Sequence, residues 1–295
     1  MGLKEIVVIS GKGGTGKTSI VGSFAYLASE TVLTDCDVDA ADLHLLLKPK
    51  IKEENVFYGG KKAFIHETKC SECGLCQEMC RFGAIEDFKV ETIFCEGCHF
   101  CYYLCPEEAV EMKDEASGHW FISETGYGSL IHARLGVAAE NSGKLVATVR
   151  QKAREVAWEK EARYILTDGP PGIGCPVIAS ITGADLALVI TEPSVSGFHD
   201  LERVVNVTKH FNIPSLVCIN KYDLHPGKSR EIEEYCAREN IQIGSRISFD
   251  SQVIESLLEG KPLVEFSEGT AAQEIKSLWQ EILDTINKRE AGKSD

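Results

Sequence analysis

The stretch Gly11-Lys12-Gly13-Gly14-Thr15-Gly16-Lys17-Thr18 follows a short apolar run, Ile6–Ile9, and precedes a helical pattern over Lys17–Ser29. It matches the pattern G-x-x-x-x-G-K-[ST] in full and stands in the strand–loop–helix context that this pattern requires. Glycines let backbone N–H groups converge on phosphates, and the helix N-terminus adds positive potential. We therefore predict a nucleotide-binding loop in which Lys17 contacts the β- and γ-phosphates and Thr18 ligates Mg²⁺.

Around this loop, short apolar strands alternate with amphipathic helical patterns. The predicted strands are Ile6–Ile9, Thr31–Thr34, Tyr164–Thr167, Leu186–Thr191, Ser215–Ile219 and Ile243–Ser248. The predicted helices are Lys17–Ser29, Lys144–Lys160, Gly197–Phe211, Lys228–Glu239, Ser251–Leu258 and Gly269–Lys288. This alternation predicts an α/β fold with a mostly parallel sheet and helices on both faces. The apolar side of the last helix is expected to dock on the core, with a membrane surface as the alternative.

The charge and apolar content of the chain exclude some classes of function. The 295 residues carry 31 Lys and Arg against 45 Asp and Glu, a net charge of −14. This acidic balance argues against a general nucleic-acid-binding protein, which needs basic groups to neutralise phosphates. No segment approaches the ~20 apolar residues of a membrane helix, and no secretory signal pattern is present. We expect a cytoplasmic protein without stable membrane insertion.

Eight of the twelve cysteines lie between Cys70 and Cys105, in two copies of one unit that are 25 residues apart. Disulfide scaffolds are typically short and secreted, so bunched cysteines in a long chain without a signal indicate metal or cluster ligands in a reducing compartment. The stretch also interrupts the α/β alternation. We predict a small inserted domain at residues 60–115, within a larger domain formed by residues 1–59 and 116–295.

The loop with its additional lysine, Lys12, resembles the deviant Walker A of the MinD/ParA/nitrogenase-iron-protein superfamily. That resemblance implies ATP rather than GTP as the nucleotide. It also implies a nucleotide-sandwich homodimer, in which Lys12 reaches the partner's phosphates. Together Lys12 and Lys17 are the predicted catalytic lysines, and the remaining loop residues, Gly11, Gly13, Gly14, Thr15, Gly16 and Thr18, are predicted to bind the nucleotide.

Two further stretches resemble the switches of this superfamily. In Asp35-Cys36-Asp37-Val38-Asp39, the resemblance implies that Asp37 orients the attacking water and that Asp35 serves the Mg²⁺ shell, although Asp37 and Asp39 could exchange roles. In Asp168-Gly169-Pro170-Pro171-Gly172, it implies that Asp168 holds Mg²⁺ through water and that the Gly169 N–H contacts the γ-phosphate. Asn220 is predicted to face the base. The string Asn220-Lys221-Tyr222-Asp223 leaves guanine recognition open.

The cysteine repeat, C-x₂-C-x₂-C-x₃-C twice with Pro106 after the second copy, resembles two-cluster bacterial ferredoxins. In that pattern the fourth cysteine of each run ligates the other cluster. The resemblance implies one [4Fe–4S] cluster on Cys70, Cys73, Cys76 and Cys105, and a second on Cys80, Cys95, Cys98 and Cys101. Arg81 replaces the usual proline after the first run. Zinc is the alternative, since Cys₄ sites also bind Zn²⁺.

The whole chain resembles MinD-superfamily ATPases that contain an inserted ferredoxin domain. Our first hypothesis is an ATPase whose dimer and switch cycle is coupled to electron transfer through two clusters to a redox partner. The alternatives are a maturation or carrier ATPase for clusters or metals, and a positioning or scaffold ATPase with structural clusters. Cys175, just beyond the second switch, is a speculative interface or metal ligand.

Overall fold

The computed structural model describes residues 2–136 and 142–291, with the backbone alone for Glu290 and Ala291. The parts of the predicted larger domain at residues 1, 137–141 and 292–295 lie outside the described residues. The strands are β1 Lys4–Ser10, β2 Thr31–Asp35, β3 Lys50–Ile65, β4 Ile85–Glu86, β5 Lys89–Val90, β6 Val110–Thr125, β7 Gly128–Leu135, β8 Tyr164–Pro171, β9 Leu186–Thr191, β10 Ser215–Ile219 and β11 Gln242–Ile243. The helices are α1 Lys17–Leu27, α2 Leu43–Leu47, α3 Leu75–Glu78, α4 Phe100–Leu104, α5 Ser142–Glu159, α6 Cys175–Ile181, α7 Val195–His210, α8 Pro226–Arg238, α9 Gln252–Glu259, α10 Leu263–Phe266 and α11 Thr270–Ala291, with a 3₁₀ turn at Tyr222–Leu224.

The strands form a nine-stranded sheet in the order β11-β10-β9-β1-β8-β2-β7-β6-β3. The neighbours from β11 to β7 run parallel. Strands β6 and β7 are joined by two residues only, the link of an antiparallel hairpin. The expected α/β fold with a mostly parallel sheet is confirmed.

Strand β1 shows why the sheet lies between two helical layers. Ile6 and Val8 pack into a core with α1, α10 and α11, whereas Val7 and Ile9 pack into a second core with α6, α7 and α8. Successive side chains of a strand point to opposite faces. A continuous apolar strand is therefore buried on both sides, and all four residues are fully buried.

The last helix, α11, docks on the first of these cores. Its buried apolar residues are Ala271, Ala272, Ile275, Leu278, Trp279, Ile282 and Ile286. This apolar face is therefore used inside the protein, and the membrane-surface alternative loses its basis. No helix among the described residues combines the length and apolarity needed to cross a membrane.

The prediction of a strand over Ile243–Ser248 was wrong beyond its first residue, since β11 ends at Ile243. Past that point, the N–H groups of Gly244 and Ile247 still donate to carbonyls of β10, but carboxylates of α11 accept from other backbone N–H groups. The N–H of Ser245 donates to Glu281 and that of Ser248 donates to Glu274, each at 2.7 Å. Only an isolated bridge between Asn220 and Ile247 continues the parallel pairing.

The chain divides into two compact units. The larger unit comprises Met1–Glu54, Trp120–Arg134 and Ser142–Asp295, and the smaller unit comprises Asn55–His119 and Leu135–Asn141. The predicted insert, residues 60–115, falls within the smaller unit.

Within the smaller unit, β4 and β5 form an antiparallel hairpin. Its turn residues, Asp87 and Phe88, have φ values of 45° and 60°, as a two-residue hairpin turn requires. The apolar core of this unit is small. It contains Ala63, Ile65, Ala84, Ile85, Cys95 and Val110, against which five more cysteines pack.

Candidate functional site

The loop at residues 11–18 needs its glycines. Gly14 and Gly16 have φ values of 76° and 91°, a left-handed conformation that glycine adopts without steric cost. A Cβ on Gly16 would lie 2.5 Å from Nδ2 of Asn220, and a Cβ on Gly11 would lie 2.3 Å from Cβ of Asp200. The loop therefore packs closely against neighbouring segments.

Asn220 and Lys221, at the end of β10, fix the loop through its carbonyl groups. Nδ2 of Asn220 donates to the Thr15 carbonyl at 2.7 Å, and Nζ of Lys221 donates to the Gly14 carbonyl at 3.3 Å. Oδ1 of Asn220 accepts from the Lys221 N–H. Both ends of the Asn220 amide are thus engaged with the backbone, and the residue supports the loop as well as lining the pocket beside it.

That pocket has a volume of about 410 Å³, within the range of small-molecule sites. One side is formed by loop residues including Lys17 and Thr18. The opposite side is apolar and comes from the segment after β11 and from α9, with Ile247, Phe249, Val253, Ile254 and Leu257. Oδ1 of Asp223 accepts from the Phe249 N–H at 2.7 Å, so this carboxylate oxygen is bound to the backbone of the segment that follows β11.

The predicted Mg²⁺ residues come together at the start of α1. Oγ1 of Thr18 donates to Oδ2 of Asp168 at 2.6 Å. Asp35 and Asp168 are register partners on adjacent strands β2 and β8. Two buried atoms here, Oδ1 of Asp168 and Oγ1 of Thr15, have no hydrogen-bond partner in the described part of the chain. Buried polar atoms without a partner are rare, and these two suit a site completed by a ligand.

The surroundings of Asp35 and Asp168 disfavour the ionised forms of both carboxyl groups. Burial, followed by the charge of Asp168, raises the pKa of Asp35 well above its usual value. Burial raises the pKa of Asp168 to about 6, with Asp37 and Asp42 adding to the shift and Thr18 and Lys17 opposing it. Two buried carboxylates repel each other, so a divalent cation between them would favour their ionised forms.

Asp37 and Asp39, the two candidates for orienting the attacking water, differ in burial. Asp37 is half-buried, and burial raises its pKa while the charge of Lys17 lowers it. Asp39 is exposed. Asp37 is therefore the one that shares an environment with the loop lysine.

Lys12 is bound within its own chain. Its Nζ lies 2.6 Å from Oε1 of Glu192, 2.9 Å from Oγ of Ser196 and 3.3 Å from Oγ of Ser194. Burial raises the pKa of Glu192, but Lys12 and Lys221 outweigh burial, so that the pKa is lowered overall. Glu192 is therefore an ionised anchor for Lys12.

The second switch begins inside β8. A Cβ on Gly169 would lie 2.7 Å from both the Val8 carbonyl oxygen and Cγ2 of Ile9, so only glycine fits there. The Gly172 N–H, in a residue with a φ of 95°, donates to the Ser10 carbonyl at 2.9 Å. The segment from Gly169 to Gly172 thus lies along β1, next to the loop.

In the smaller unit, the two cysteine runs repeat in backbone conformation as well as in sequence. Left-handed residues recur 25 positions apart in three pairs, and helices α3 and α4 begin 25 residues apart. The pairs are Glu72 and Gly97, Gly74 and His99, and Gly83 and Glu108. The repeated sequence therefore specifies a repeated loop.

The cysteines line two cavities. The wide cavity holds Cys80, Cys95, Cys98 and Cys101 in its wall, with Cys76 beside them. The narrow cavity holds Cys70, Cys73, Cys76 and Cys105. On the same measure as the pocket beside the loop, the wide cavity has a volume of about 490 Å³ and the narrow cavity a volume of about 20 Å³. Each predicted ligand set thus lines one cavity.

Each cavity also has two backbone N–H groups that donate to its sulfurs. At the wide cavity, Ala84 donates to Cys80 at 3.4 Å and Ala63 donates to Cys95 at 3.5 Å. At the narrow cavity, Ala109 donates to Cys105 at 3.3 Å and Glu72 donates to Cys70 at 3.4 Å. In the described ranges, no three His, Cys, Asp or Glu side chains converge as they would on a single metal ion.

The four other cysteines divide by exposure. Cys36, Cys218 and Cys236 are buried thiols, and burial raises the pKa of each of them. Cys175 is the exposed first residue of α6. The eight repeat cysteines are likewise free thiols.

Sequence reasoning missed Glu192 and the supporting role of Lys221. Glu192 directly follows β9, at the carboxyl end of a parallel strand, which is where ligands bind in such sheets. This position after a predicted strand was the signal from which Glu192 could have been identified as a candidate site residue. The contact itself joins residues 180 positions apart and required the fold.

Comparison with known proteins extends these findings. Residues 6–263 match the model of the CobQ/CobB/MinD/ParA nucleotide-binding domain. An uncharacterized protein of Methanocaldococcus jannaschii is 33% identical over 288 residues, which cover 96% of this chain and 98% of that protein. An iron-sulfur cluster carrier protein of the same organism is 26% identical over 156 residues, which cover 48% of this chain and 53% of the carrier.

Solved structures share the fold. The cell division ATPase MinD of Pyrococcus furiosus superposes with a TM-score of 0.60 at 19% identity, covering 96% of this chain and 99% of that chain. The septum site-determining protein MinD of Pyrococcus horikoshii, complexed with Mg-ADP, gives a TM-score of 0.59 at 18% identity, with coverages of 95% and 96%.

Proposed function

Because the chain belongs to the CobQ/CobB/MinD/ParA nucleotide-binding family, we propose that it binds Mg-ATP at residues 11–18 and hydrolyses it. The observation that carries this proposal is the contact between Thr18 and Asp168, beside the unpartnered Oδ1 of Asp168. The Mg-ADP held by the P. horikoshii relative supports the same ligand.

The residues divide the work of phosphoryl transfer. Lys17 neutralises charge on the β- and γ-phosphates, and Thr18 and Asp168 hold Mg²⁺, with Asp35 behind them. Asp37 orients the attacking water, and the Gly169 N–H contacts the γ-phosphate. Lys12 leaves Glu192 and reaches the nucleotide of a second copy of the chain, so that the active form is a homodimer.

We further propose that the smaller unit holds two [4Fe–4S] clusters. Cys80, Cys95, Cys98 and Cys101 hold one cluster at the wide cavity, and Cys70, Cys73, Cys76 and Cys105 hold the other at the narrow cavity. A cubane takes one thiolate at each of four irons, so its ligands surround a space. A zinc ion instead needs four sulfurs about 2.3 Å from one centre. When bound, the clusters supply reversible one-electron transfer at low potential.

Our proposal for the whole chain is an ATPase whose nucleotide cycle is coupled to electron transfer to a redox partner. It is supported by the position of the insert, which follows the first switch in the sequence. The carrier hypothesis is favoured by two observations, the named carrier relative and the exposure of Cys175. It predicts an additional labile iron–sulfur group that a Cys175→Ala variant loses.

The test uses anaerobically purified full-length protein. We expect the EPR spectrum of the reduced clusters to change with MgATP and not with MgADP. Lys17→Ala should abolish hydrolysis and this spectral response while keeping its iron and acid-labile sulfide. A spectrum that ignores MgATP in a chain that hydrolyses ATP would reject the coupling. Unimpaired hydrolysis in Lys17→Ala would reject the nucleotide site.

A further inference from the structure

The two cysteine cavities have matching hydrogen bonds but different charges. Each has two N–H groups on its sulfurs, at 3.3–3.5 Å. Among the factors that set the reduction potential of a cluster are hydrogen bonds to sulfur, net charge and solvent exposure. Since both sites have backbone N–H groups on their sulfurs, we derive the difference between them from charge and exposure.

Arg81 supplies the main difference. It lines the wide cavity and occupies the position, 25 residues earlier, that corresponds to Pro106 at the narrow cavity. Its guanidinium carbon lies 6.0 Å from the centre of the Phe82 ring, which lines the same cavity. Within the described ranges, no carboxylate lies at ion-pair distance from Arg81. Its positive charge is therefore not neutralised locally.

The other charged groups reinforce this asymmetry. At the wide cavity, the Lys62 ammonium donates to the carbonyl of Cys95, and Glu96 contributes one negative charge. His99 also lines this cavity. At the narrow cavity the charged lining residue is Glu107, which corresponds to Phe82 in the repeat. Among the lining residues, the wide cavity thus has Arg81 beside its one carboxylate, and the narrow cavity has the Glu107 carboxylate alone.

We propose that Arg81 makes the two clusters unequal, so that the cluster at the wide cavity has the higher reduction potential and is reduced first. This rests on the proposed function, since it requires both clusters. Reduction adds one negative charge to a cluster. A nearby cation stabilises the reduced form and a nearby carboxylate destabilises it. Arg81 raises one potential, and Glu107 lowers the other.

The direction of electron flow follows. An electron that enters at the narrow cavity moves downhill to the wide cavity. The wide cavity is also the one more open to solvent, with the half-exposed side chains of Met79, Phe82 and Phe100 in its wall. The cluster that holds the electron longest is therefore the one that a redox partner can approach most closely.

The test is an EPR-monitored redox titration of the anaerobic, cluster-loaded full chain. We expect two separate midpoint potentials. Arg81→Gln should lower the upper midpoint and leave the lower one in place, and Glu107→Gln should raise the lower midpoint. Lys89→Gln is the matched control, because it removes one positive charge from the same unit at an exposed position that lines neither cavity.

A Cys98→Ser variant assigns the signals, because it alters the spectrum of the cluster at the wide cavity alone. The proposal is overturned if that cluster has the lower midpoint, or if Arg81→Gln shifts the midpoints no more than Lys89→Gln does. A wild-type chain that retains no iron and sulfide after anaerobic reconstitution would overturn the proposed clusters themselves, and this result is distinct from both outcomes above.

Discussion

At the scale of single residues, Lys12 is the side chain whose partner changes during the proposed cycle. In one protomer it is bound to Glu192, Ser194 and Ser196. To reach a second copy it must leave these contacts, so Glu192 opposes dimer formation. Partly exposed ion pairs of this kind contribute up to about 1 kcal/mol.

We therefore predict that Glu192→Gln strengthens the ATP-dependent dimer by a factor of about two to five, because the amide holds Lys12 less tightly. Analytical ultracentrifugation with MgATP measures this. Glu231→Gln is the matched control, since it breaks an exposed pair with Lys228 on α8. A weaker dimer in Glu192→Gln would show that Glu192 acts across the interface instead.

At the scale of elements, the sequence predicted the apolar strands β1, β2, β8, β9 and β10, and it missed β3, β6 and the buried strand β7. Strands β9 and β10 match their predicted limits because they are short, apolar and buried on both faces. Strands β3 and β6 were missed. Each has 16 residues and is rich in charged side chains, and β3 is mostly exposed whereas β6 is mostly half-buried or buried. Neither strand shows the apolar run or clean alternation from which a strand is predicted.

The candidate site also combines features that the sequence predicted with features that it could not predict. The loop at residues 11–18 and the cysteine runs are local patterns, in which spacing along the chain fixes spacing in space. Glu192 and the apolar pocket wall from Ile247 to Leu257 reach the loop only through the order of the strands. Sequence spacing does not encode such contacts, so they could not be predicted without the sheet topology.

Helix α11 provides a test of packing at this scale. Trp279 is buried, and its ring centre lies 5.2 Å from that of Phe24 and 5.9 Å from that of Tyr164. Trp279→Ala should lower the free energy of unfolding by about 3–5 kcal/mol, since it leaves a cavity in the core.

Chemical denaturation of the full chain measures this loss. Trp158→Ala is the matched control, because Trp158 is 85% exposed at the end of α5. Its effect should stay within about 0.5 kcal/mol. Equal effects of the two substitutions would show that α11 is not docked as described.

At the scale of the whole molecule, the two units differ in what stabilises them. The larger unit has two extensive cores, one on each face of its sheet. In the part of the smaller unit that the structure describes, the apolar cluster around the cysteines has six buried residues, and Asn55–His119 carries twelve acidic against six basic side chains. Units of this size commonly require metals or cross-links, because the hydrophobic core of a domain with fewer than ~70–80 residues supplies little stability.

We therefore predict that removing the clusters unfolds the smaller unit and leaves the nucleotide site intact. In a small metal-dependent unit, the free energy of metal binding contributes directly to the free energy of folding. Hydrogen exchange of the full chain, loaded and cluster-free, should show protection lost across residues 66–110 only. Added MgADP should still increase protection at residues 11–18. Cys175→Ser should keep the protection of the loaded chain, because Cys175 lines neither cavity. Unchanged protection at residues 66–110 in the cluster-free chain would mean that this unit folds on its small core alone, and that the clusters, where present, serve electron transfer without a structural role.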